Sequence, residues 1–222
     1  MGALLKKDFI TSRYIYTISI LVVGILVCFA SMYSFEATLL IYLLGTFMVP
    51  LMANKFTATD EMRKNYDVII NSFPVKRIDV VLSKFIYYFI SYVLCSFILL
   101  LIMFLVGNFP KEQLTIIYIV QSLSFIYYCL IIGITNFVYY RYDYGVASKY
   151  SSIIIIAVAN IPIIILKLIS NVNPNISVEI TNYFLGSTSH GVYLATGVIL
   201  VGIIIYILFI GLSIMGYRKR DL

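Results

Sequence analysis

The side chains in this sequence that could do chemistry are few and widely spaced. The single histidine, His190, stands beside Gly191 and has no second histidine to share a metal ion. The three cysteines, Cys28, Cys95 and Cys129, are too far apart for a zinc site or a redox-active C-x-x-C pair. Each lies in an apolar stretch, which is typical of small buried side chains. The sequence therefore predicts neither a metal centre nor thiol chemistry.

Motifs for hydrolysis and for nucleotide binding are missing as well. The sequence has no H-E-x-x-H or G-x-S-x-G motif. It also lacks a G-x-x-x-x-G-K-[ST] loop, whose backbone amides would hold nucleotide phosphates. No ionisable residue falls at the middle of an apolar run, where a proton- or ion-coupled transporter would need one. We therefore expect no catalysis and no bound cofactor in this chain, and any ATP-driven work would need ATP and Mg on another chain.

The elements that must position these residues are long apolar helices. The chain is 62% hydrophobic and 12% charged, against about 25% charged in ordinary soluble domains. The apolar runs are continuous instead of alternating, which favours helices over a barrel. We predict an all-α polytopic membrane protein that forms a single domain over residues 1–222. The predicted spans are residues 15–32, 39–53, 85–106, 114–137, 151–168 and 192–215, with a cytoplasmic loop at 55–84 and an outer loop at 169–190.

The distribution of cations predicts the orientation. With the N-terminus inside, all but two of the 16 Lys and Arg residues (Lys111 and Lys167) fall in inner segments. Cations collect on the cytoplasmic side of membranes, so both termini should be cytoplasmic. The same rule accounts for the net charge of +6 without nucleic acid as a partner. Abundant Tyr, Phe, Ile and Asn without Trp are typical of an AT-rich bacterial genome, which places the protein in a bacterial cell membrane.

One polar segment stands out between the second and third spans. Residues 57–73 read TATDEMRKNYDVIINSF, with Thr57 and Asp60 spaced as a capping box and Pro74 just beyond the end. The pattern predicts a short amphipathic helix over residues 58–73, which would either rest on lipid headgroups or dock a cytoplasmic protein. The residues that share its apolar face are Met62, Tyr66, Ile69, Ile70 and Phe73.

The order of several short motifs resembles the ABC-2 type transporter permeases. Glu61 is followed by NYD at 65–67, then SFPVKR at 72–77, then Lys84. This is similar to the Glu, the "s-L-P-v-x-R" turn and the Lys that follow the second span in that family. Phe73 stands where Leu is commoner. The opening LLKKDF at 4–9 resembles the family's N-terminal interface helix, and the final YRKRDL at 217–222 resembles its short basic tail.

The resemblance implies a six-helix half-transporter. Two permeases, identical or related, would pair, and each would dock a cytoplasmic ABC ATPase through the loop between spans two and three. ATP and Mg would be bound by that ATPase. The family also has a re-entrant outer element between its last two spans, here within residues 169–190. The residues implied in ATPase docking are Glu61, Met62, Arg63, Lys64, Tyr66, Asp67, Phe73 and Pro74.

The resemblance also implies a path for cargo, which aromatic side chains would line. An uncharged, tyrosine-rich path suits an amphipathic cargo, and small permeases similar to this one export antimicrobial or cytolytic peptides such as phenol-soluble modulins. The alternatives are a drug or lipid exporter permease, an immunity or sensory subunit that transports nothing, and a membrane enzyme. The residues that are candidates for lining this path are Tyr42, Phe47, Tyr87, Tyr88, Tyr92 and Tyr128. They could instead pack between helices or form an aromatic belt at the membrane interface.

Overall fold

The structure is a computed structural model, and it describes five helices. The described residues are 1–63, 76–106, 111–142, 150, 153, 156–158, 160 and 188–219. Within them the long helices are α1 (Gly2–Ser31), α2 (Phe35–Arg63), α3 (Arg77–Val106), α4 (Lys111–Arg141) and α5 (Thr188–Arg218).

All five helices are long and apolar enough to cross a membrane. Their lengths are 29 to 31 residues. At 1.5 Å per residue each helix is about 45 Å long, so it extends past a hydrocarbon core of ~30 Å. The predicted all-α polytopic architecture is confirmed. The fifth predicted span (151–168) and most of the outer loop (169–190) lie outside the described residues and stay predictions.

The second helix does not end where the sequence pattern placed its end. The prediction that a capping box at Thr57 and Asp60 begins a new helix is wrong, because α2 continues unbroken to Arg63. Thr57 is buried inside it, and its hydroxyl donates a hydrogen bond to the Asn54 carbonyl at 2.8 Å. The last turns of α2 stay helical because Glu61 has charged partners on α1 and α3.

The first helix likewise includes the residues that resemble a separate interface helix. LLKKDF at 4–9 forms the early turns of α1, which runs without a break to Ser31. Asp8 and Ser12, one turn apart, are both buried. These turns therefore pack against the bundle instead of leaving it along the membrane surface.

Contacts between helices fix their relative directions. Asp8 meets Lys84, and Gly24 lies against Ile102, so α1 and α3 run parallel. Glu61 of α2 also meets Lys84, so α2 runs antiparallel to both. Between α4 and α5 the close pairs are 125 with 202, 133 with 209 and 141 with 216, which shows that these two helices are parallel. Parallel α4 and α5 are the arrangement expected if one further span, predicted at 151–168, connects them.

Aromatic and small residues make up the interior. Phe85 packs edge-on against Tyr206 of α5 at 5.3 Å between ring centroids, and Tyr92 stacks on Tyr128 of α4 at 4.7 Å. Where helices approach closely, glycine is present: an added Cβ at Gly133 would lie 2.3 Å from the Phe209 ring. Small residues allow such close approach between helices in membranes, where packing replaces the hydrophobic effect as the main attraction.

Candidate functional site

Four charged side chains from three helices meet at the predicted cytoplasmic end of the bundle. They are Lys7 and Asp8 of α1, Glu61 of α2 and Lys84 of α3, and we name them the charge ring. The Lys84 Nζ atom lies 3.0 Å from Asp8 Oδ1 and 2.6 Å from Glu61 Oε1. Lys7 Nζ lies 3.1 Å from Asp8 Oδ1 and also contacts Glu61 Oε1. Each cation therefore contacts both carboxylates.

The charge ring is largely removed from solvent. Asp8 is 1% exposed, Lys84 5% and Glu61 7%, whereas the Lys7 side chain is 26% exposed. Two cations and two carboxylates cancel in charge, and their mutual attraction offsets the cost of removing these groups from water. Removing any one of them would leave a buried charge without compensation.

Local sequence explains how these four side chains reach one point. Asp8 lies one turn before Ser12 on the buried face of α1. Glu61 lies in the last turn of α2, and Lys84 lies two turns after the start of α3. Next to the ring, the rings of Phe9 and Tyr87 pack edge-to-face at 5.0 Å between centroids.

The beginning of α3 is also attached to the end of α5. The Arg77 guanidinium donates a hydrogen bond to the Tyr217 carbonyl at 3.1 Å and lies 5.5 Å from the centroid of the Tyr217 ring. Tyr217 in turn packs on Tyr140 of α4 at 5.2 Å. The segment 64–75, which lies outside the described residues, is therefore preceded by the buried Glu61 and followed by the anchored Arg77.

A chain of neutral polar groups crosses the bundle deeper in the membrane. Gln121 of α4 accepts a hydrogen bond from the Tyr42 hydroxyl of α2 and donates one to the Tyr92 hydroxyl of α3 at 2.9 Å. Tyr92 donates to Ser124 at 3.1 Å, and Ser124 lies 3.0 Å from the Thr46 hydroxyl. We name these groups, with the three described next, the polar ladder.

The polar ladder continues towards the charge ring. Asn54 of α2 donates to the Tyr128 hydroxyl of α4 at 3.0 Å, and Tyr128 donates to the Tyr88 carbonyl of α3 at 2.9 Å. Its members recur at helical spacing along α2, α3 and α4, so they share the faces on which these three helices pack. Together with the charge ring, the polar ladder gives α2 directional contacts from Tyr42 to Glu61, which is more than half of its length.

The structure buries most of the residues predicted to line a cargo path. Tyr42, Tyr87, Tyr88, Tyr92 and Tyr128 are each at most 5% exposed, packed between helices of this one chain. Phe47 is partly buried against the same core. Cargo could reach these side chains only if the helices separate. Their role in a path stays a prediction.

The residues predicted to dock the ATPase fall in two groups. Glu61 is buried in the charge ring, and Met62 and Arg63 belong to the last turn of α2. The other predicted docking residues lie outside the described residues, so docking stays a prediction for the whole set. They are Lys64, Tyr66, Asp67, Phe73 and Pro74.

Sequence reasoning singled out two members of the charge ring and missed the other two. Glu61 and Lys84 stood out as separate motif residues, whereas Lys7 and Asp8 appeared only within a terminal motif. The signal that could have found Asp8 is an acid one turn before Ser12 on a helix that otherwise continues into a long apolar run. Such an acid in an apolar helix needs a cation, and Lys84 is the last basic residue before the apolar run of α3.

Comparison with known proteins identifies the family. The model of the ABC-2 family transporter proteins matches residues 3–218, which is nearly the whole chain. No curated protein and no solved structure matches the chain. Proteins of this family are membrane components of transporters in which a partner ATPase hydrolyses the ATP. The five long apolar helices are those of a multi-pass membrane protein of this kind. The chain belongs to the ABC-2 family of transporter proteins.

Proposed function

We propose that this chain is the permease subunit of an ATP-driven exporter in a bacterial cell membrane, and that it exports amphipathic peptides. Two permeases, identical or related, form the membrane part, and each binds a cytoplasmic ABC ATPase through residues 58–73. Closure of the ATPase subunits on ATP displaces this segment. The helices that carry it then reorient and open a cavity between the two permeases.

The observation that supports this mechanism is the position of the charge ring. Glu61 lies two residues before the end of α2, and Lys84 lies seven residues after the start of α3. The salt bridge between them joins the two helices that flank the segment 64–75. A displacement of that segment would therefore pull on this buried salt bridge. The end of α2 and the beginning of α3 could not rotate independently of each other to accommodate it.

The distribution of charge supports the choice of cargo. Charged side chains in the described helices are confined to their two ends, while the middle of the bundle carries tyrosine hydroxyls and amides of the polar ladder. A fixed charge at mid-membrane depth would mark an ion pathway. Aromatic surfaces with hydroxyl groups instead match a peptide that has one apolar face and one polar face.

The docking segment is tested by co-purification. The complex is isolated from its native membrane, and the bound partner is identified by its nucleotide-binding motif and by ATP hydrolysis. Tyr66→Ala, Phe73→Ala and Pro74→Ala are expected to insert in the membrane normally and to lose the ATPase, because the first two remove large interface anchors and the third lets two helices merge. Tyr193→Ala, at a position 75% exposed on α5, is the matched control. Full retention of the ATPase and of export in all three variants would exclude docking through this segment.

The cargo is tested with inside-out vesicles that contain the complex. We expect ATP-dependent uptake of a fluorescent amphipathic helical peptide and much less uptake of a scrambled peptide of the same composition. Uptake of a lipophilic dye without uptake of either peptide would show that the complex is a drug or lipid exporter instead.

A further inference from the structure

We propose that the charge ring is the joint through which displacement of the segment 64–75 reaches α1, and that Asp8 and Lys84 are its positioning residues. The inference rests on the proposed function, in which an ATPase acts on that segment. Nothing in the chain order links α1 to the segment, since α2 lies between them. The link is made in space, by Lys84 of α3 with Asp8 of α1 and by Lys7 of α1 with Glu61 of α2.

The connections of the ring show how displacement would travel. Lys84 contacts Glu61, so the end of α2 and the beginning of α3 are tied to each other. The same ammonium group contacts Asp8, which adds α1 to the unit. A rotation of α2 or α3 at this end must therefore either move α1 or break contacts between buried charges.

The pattern of contacts suits a joint that moves. Lys7 and Lys84 each contact both Asp8 and Glu61, so any one contact can break while every charge keeps an opposite partner. In addition, Asp8 Oδ2 is buried and has no hydrogen-bond partner among the described residues. This oxygen is a second acceptor onto which a lysine can shift. One ion pair would be enough to hold two helices in a single arrangement. An exchange of partners needs two cations that can each reach both carboxylates, as Lys7 and Lys84 do here.

Charge is also better suited than apolar packing to transmit movement between helices. Van der Waals attraction loses a quarter to a half of its strength when a gap of about 0.5–1 Å opens. Coulomb attraction falls only with the inverse of distance, and it is weakly screened in a buried site. The ring therefore continues to attract α1 when α2 and α3 shift by an ångström.

The position of α1 makes it the helix able to respond. It packs on α2 and α3, and its opposite face is exposed along its length, with Tyr14 66%, Ile18 60% and Leu21 60% exposed. Among the described helices α1 packs mainly on α2 and α3, so it can tilt with those two helices while the packing of α4 on α5 is kept.

The experiment measures the movement of α1 in the complex with its co-purified ATPase. Cys28, Cys95 and Cys129 are replaced by alanine, and spin labels are attached at Tyr14→Cys on α1 and Leu208→Cys on α5, both at exposed positions. Labelled chains are diluted with unlabelled chains so that pulsed EPR reports distances within one permease. The distance between the labels is compared without nucleotide and with ATP and vanadate.

The decisive variant removes all four charges and keeps the side-chain volumes: Lys7→Met, Asp8→Asn, Glu61→Gln and Lys84→Met together. Unlike any single replacement, this variant leaves no buried charge without a partner, so it is expected to assemble. We expect it to bind the ATPase and hydrolyse ATP while its ATP-dependent distance change falls to less than half of that in the unaltered ring. Lys55→Met, at an exposed position on α2, is the control and should leave the change intact.

The outcomes separate this inference from the proposed function. If no ATPase co-purifies with the unaltered chain, the proposed function fails. If the ATPase binds but the distance does not change, the inference fails alone. It also fails alone if the neutral variant keeps more than half of the distance change or if Lys55→Met loses it. Loss of the ATPase from the neutral variant would also overturn it, since the ring would then only hold the docking segment. If that variant does not reach the membrane, Asp8→Asn alone must reduce the distance change with the ATPase still bound.

Discussion

Glu61 and Lys84 form a salt bridge of 2.6 Å between the end of α2 and the beginning of α3. In the sequence these residues lie on either side of a polar segment and read as two separate motif positions. In the fold the two residues contact each other, and both side chains are buried. Their contact fixes the distance between the end of α2 and the beginning of α3. The predicted docking residues thus include one, Glu61, whose buried salt bridge holds two helices of the bundle together.

Replacing Lys84 with methionine should strongly destabilise the protein. Met has a similar length but no charge, so Asp8 and Glu61 would share only Lys7, which is partly exposed. Breaking a buried ion cluster by removing one member costs about 3–5 kcal/mol. The measurement is the temperature at which the protein in detergent loses its monodisperse elution peak, compared with Lys55→Met. Equal melting of the two variants would show that the charge ring adds nothing to stability.

Removing one hydroxyl from the polar ladder should have a smaller effect. Tyr92→Phe deprives the Gln121 amide of its acceptor and the Ser124 hydroxyl of a donor. A lost hydrogen bond with a buried group left unpaired costs about 1–2 kcal/mol between helices in a membrane. Thermal melting in detergent measures this loss. Tyr193→Phe, at a position 75% exposed, is the control, and melting of Tyr92→Phe at the same temperature would contradict the role assigned to the ladder.

The sequence predicts the helices well because length and hydropathy determine them locally. Continuous apolar runs predicted α1 to α5, and the last residue predicted for the third span, Val106, is the last residue of α3. The charge ring could not be predicted in the same way, since Asp8, Glu61 and Lys84 meet only once three helices have packed with particular directions and rotations. The capping box at Thr57 failed for a related reason: a local pattern gave way to the tertiary contacts of Glu61.

The predicted orientation is tested by labelling introduced cysteines. In a background without Cys28, Cys95 and Cys129, cysteines at Glu36, Lys111 and Glu179 should react with an impermeant maleimide added outside the cell, because the cation distribution places these positions outside. A cysteine at Lys55, on the opposite end of α2 from Glu36, is the control and should react only after the membrane is permeabilised. Protection of any of the three outer positions in intact cells would overturn the N-in, C-in topology.

The chain by itself should not hydrolyse ATP. The sequence has no G-x-x-x-x-G-K-[ST] motif, which would hold the phosphates of a nucleoside triphosphate. The purified chain, freed of any co-purifying ATPase, should release phosphate at the rate of an empty-detergent blank. Hydrolysis should return when the partner ATPase is added back. Nucleotide turnover that persists in the partner-free sample and is lost on heat denaturation would contradict this prediction.

The close contact between α4 and α5 should depend on the absence of a side chain at Gly133. A Cβ added there would lie 2.3 Å from Phe209 Cδ2 and 2.9 Å from Phe209 Cβ, so rotation of the ring alone cannot relieve the clash. Gly133→Ala must therefore push the two helices apart or strain them, and overpacking of this kind costs about 1–3 kcal/mol. Gly211→Ala is the matched control, because nothing lies within 4 Å of the Cβ it would add. We expect Gly133→Ala to melt at a lower temperature in detergent and Gly211→Ala to melt at or slightly above the temperature of the unaltered protein, because alanine is the better helix former. The reverse order, or no difference, would mean that α4 and α5 do not pack as the structure shows.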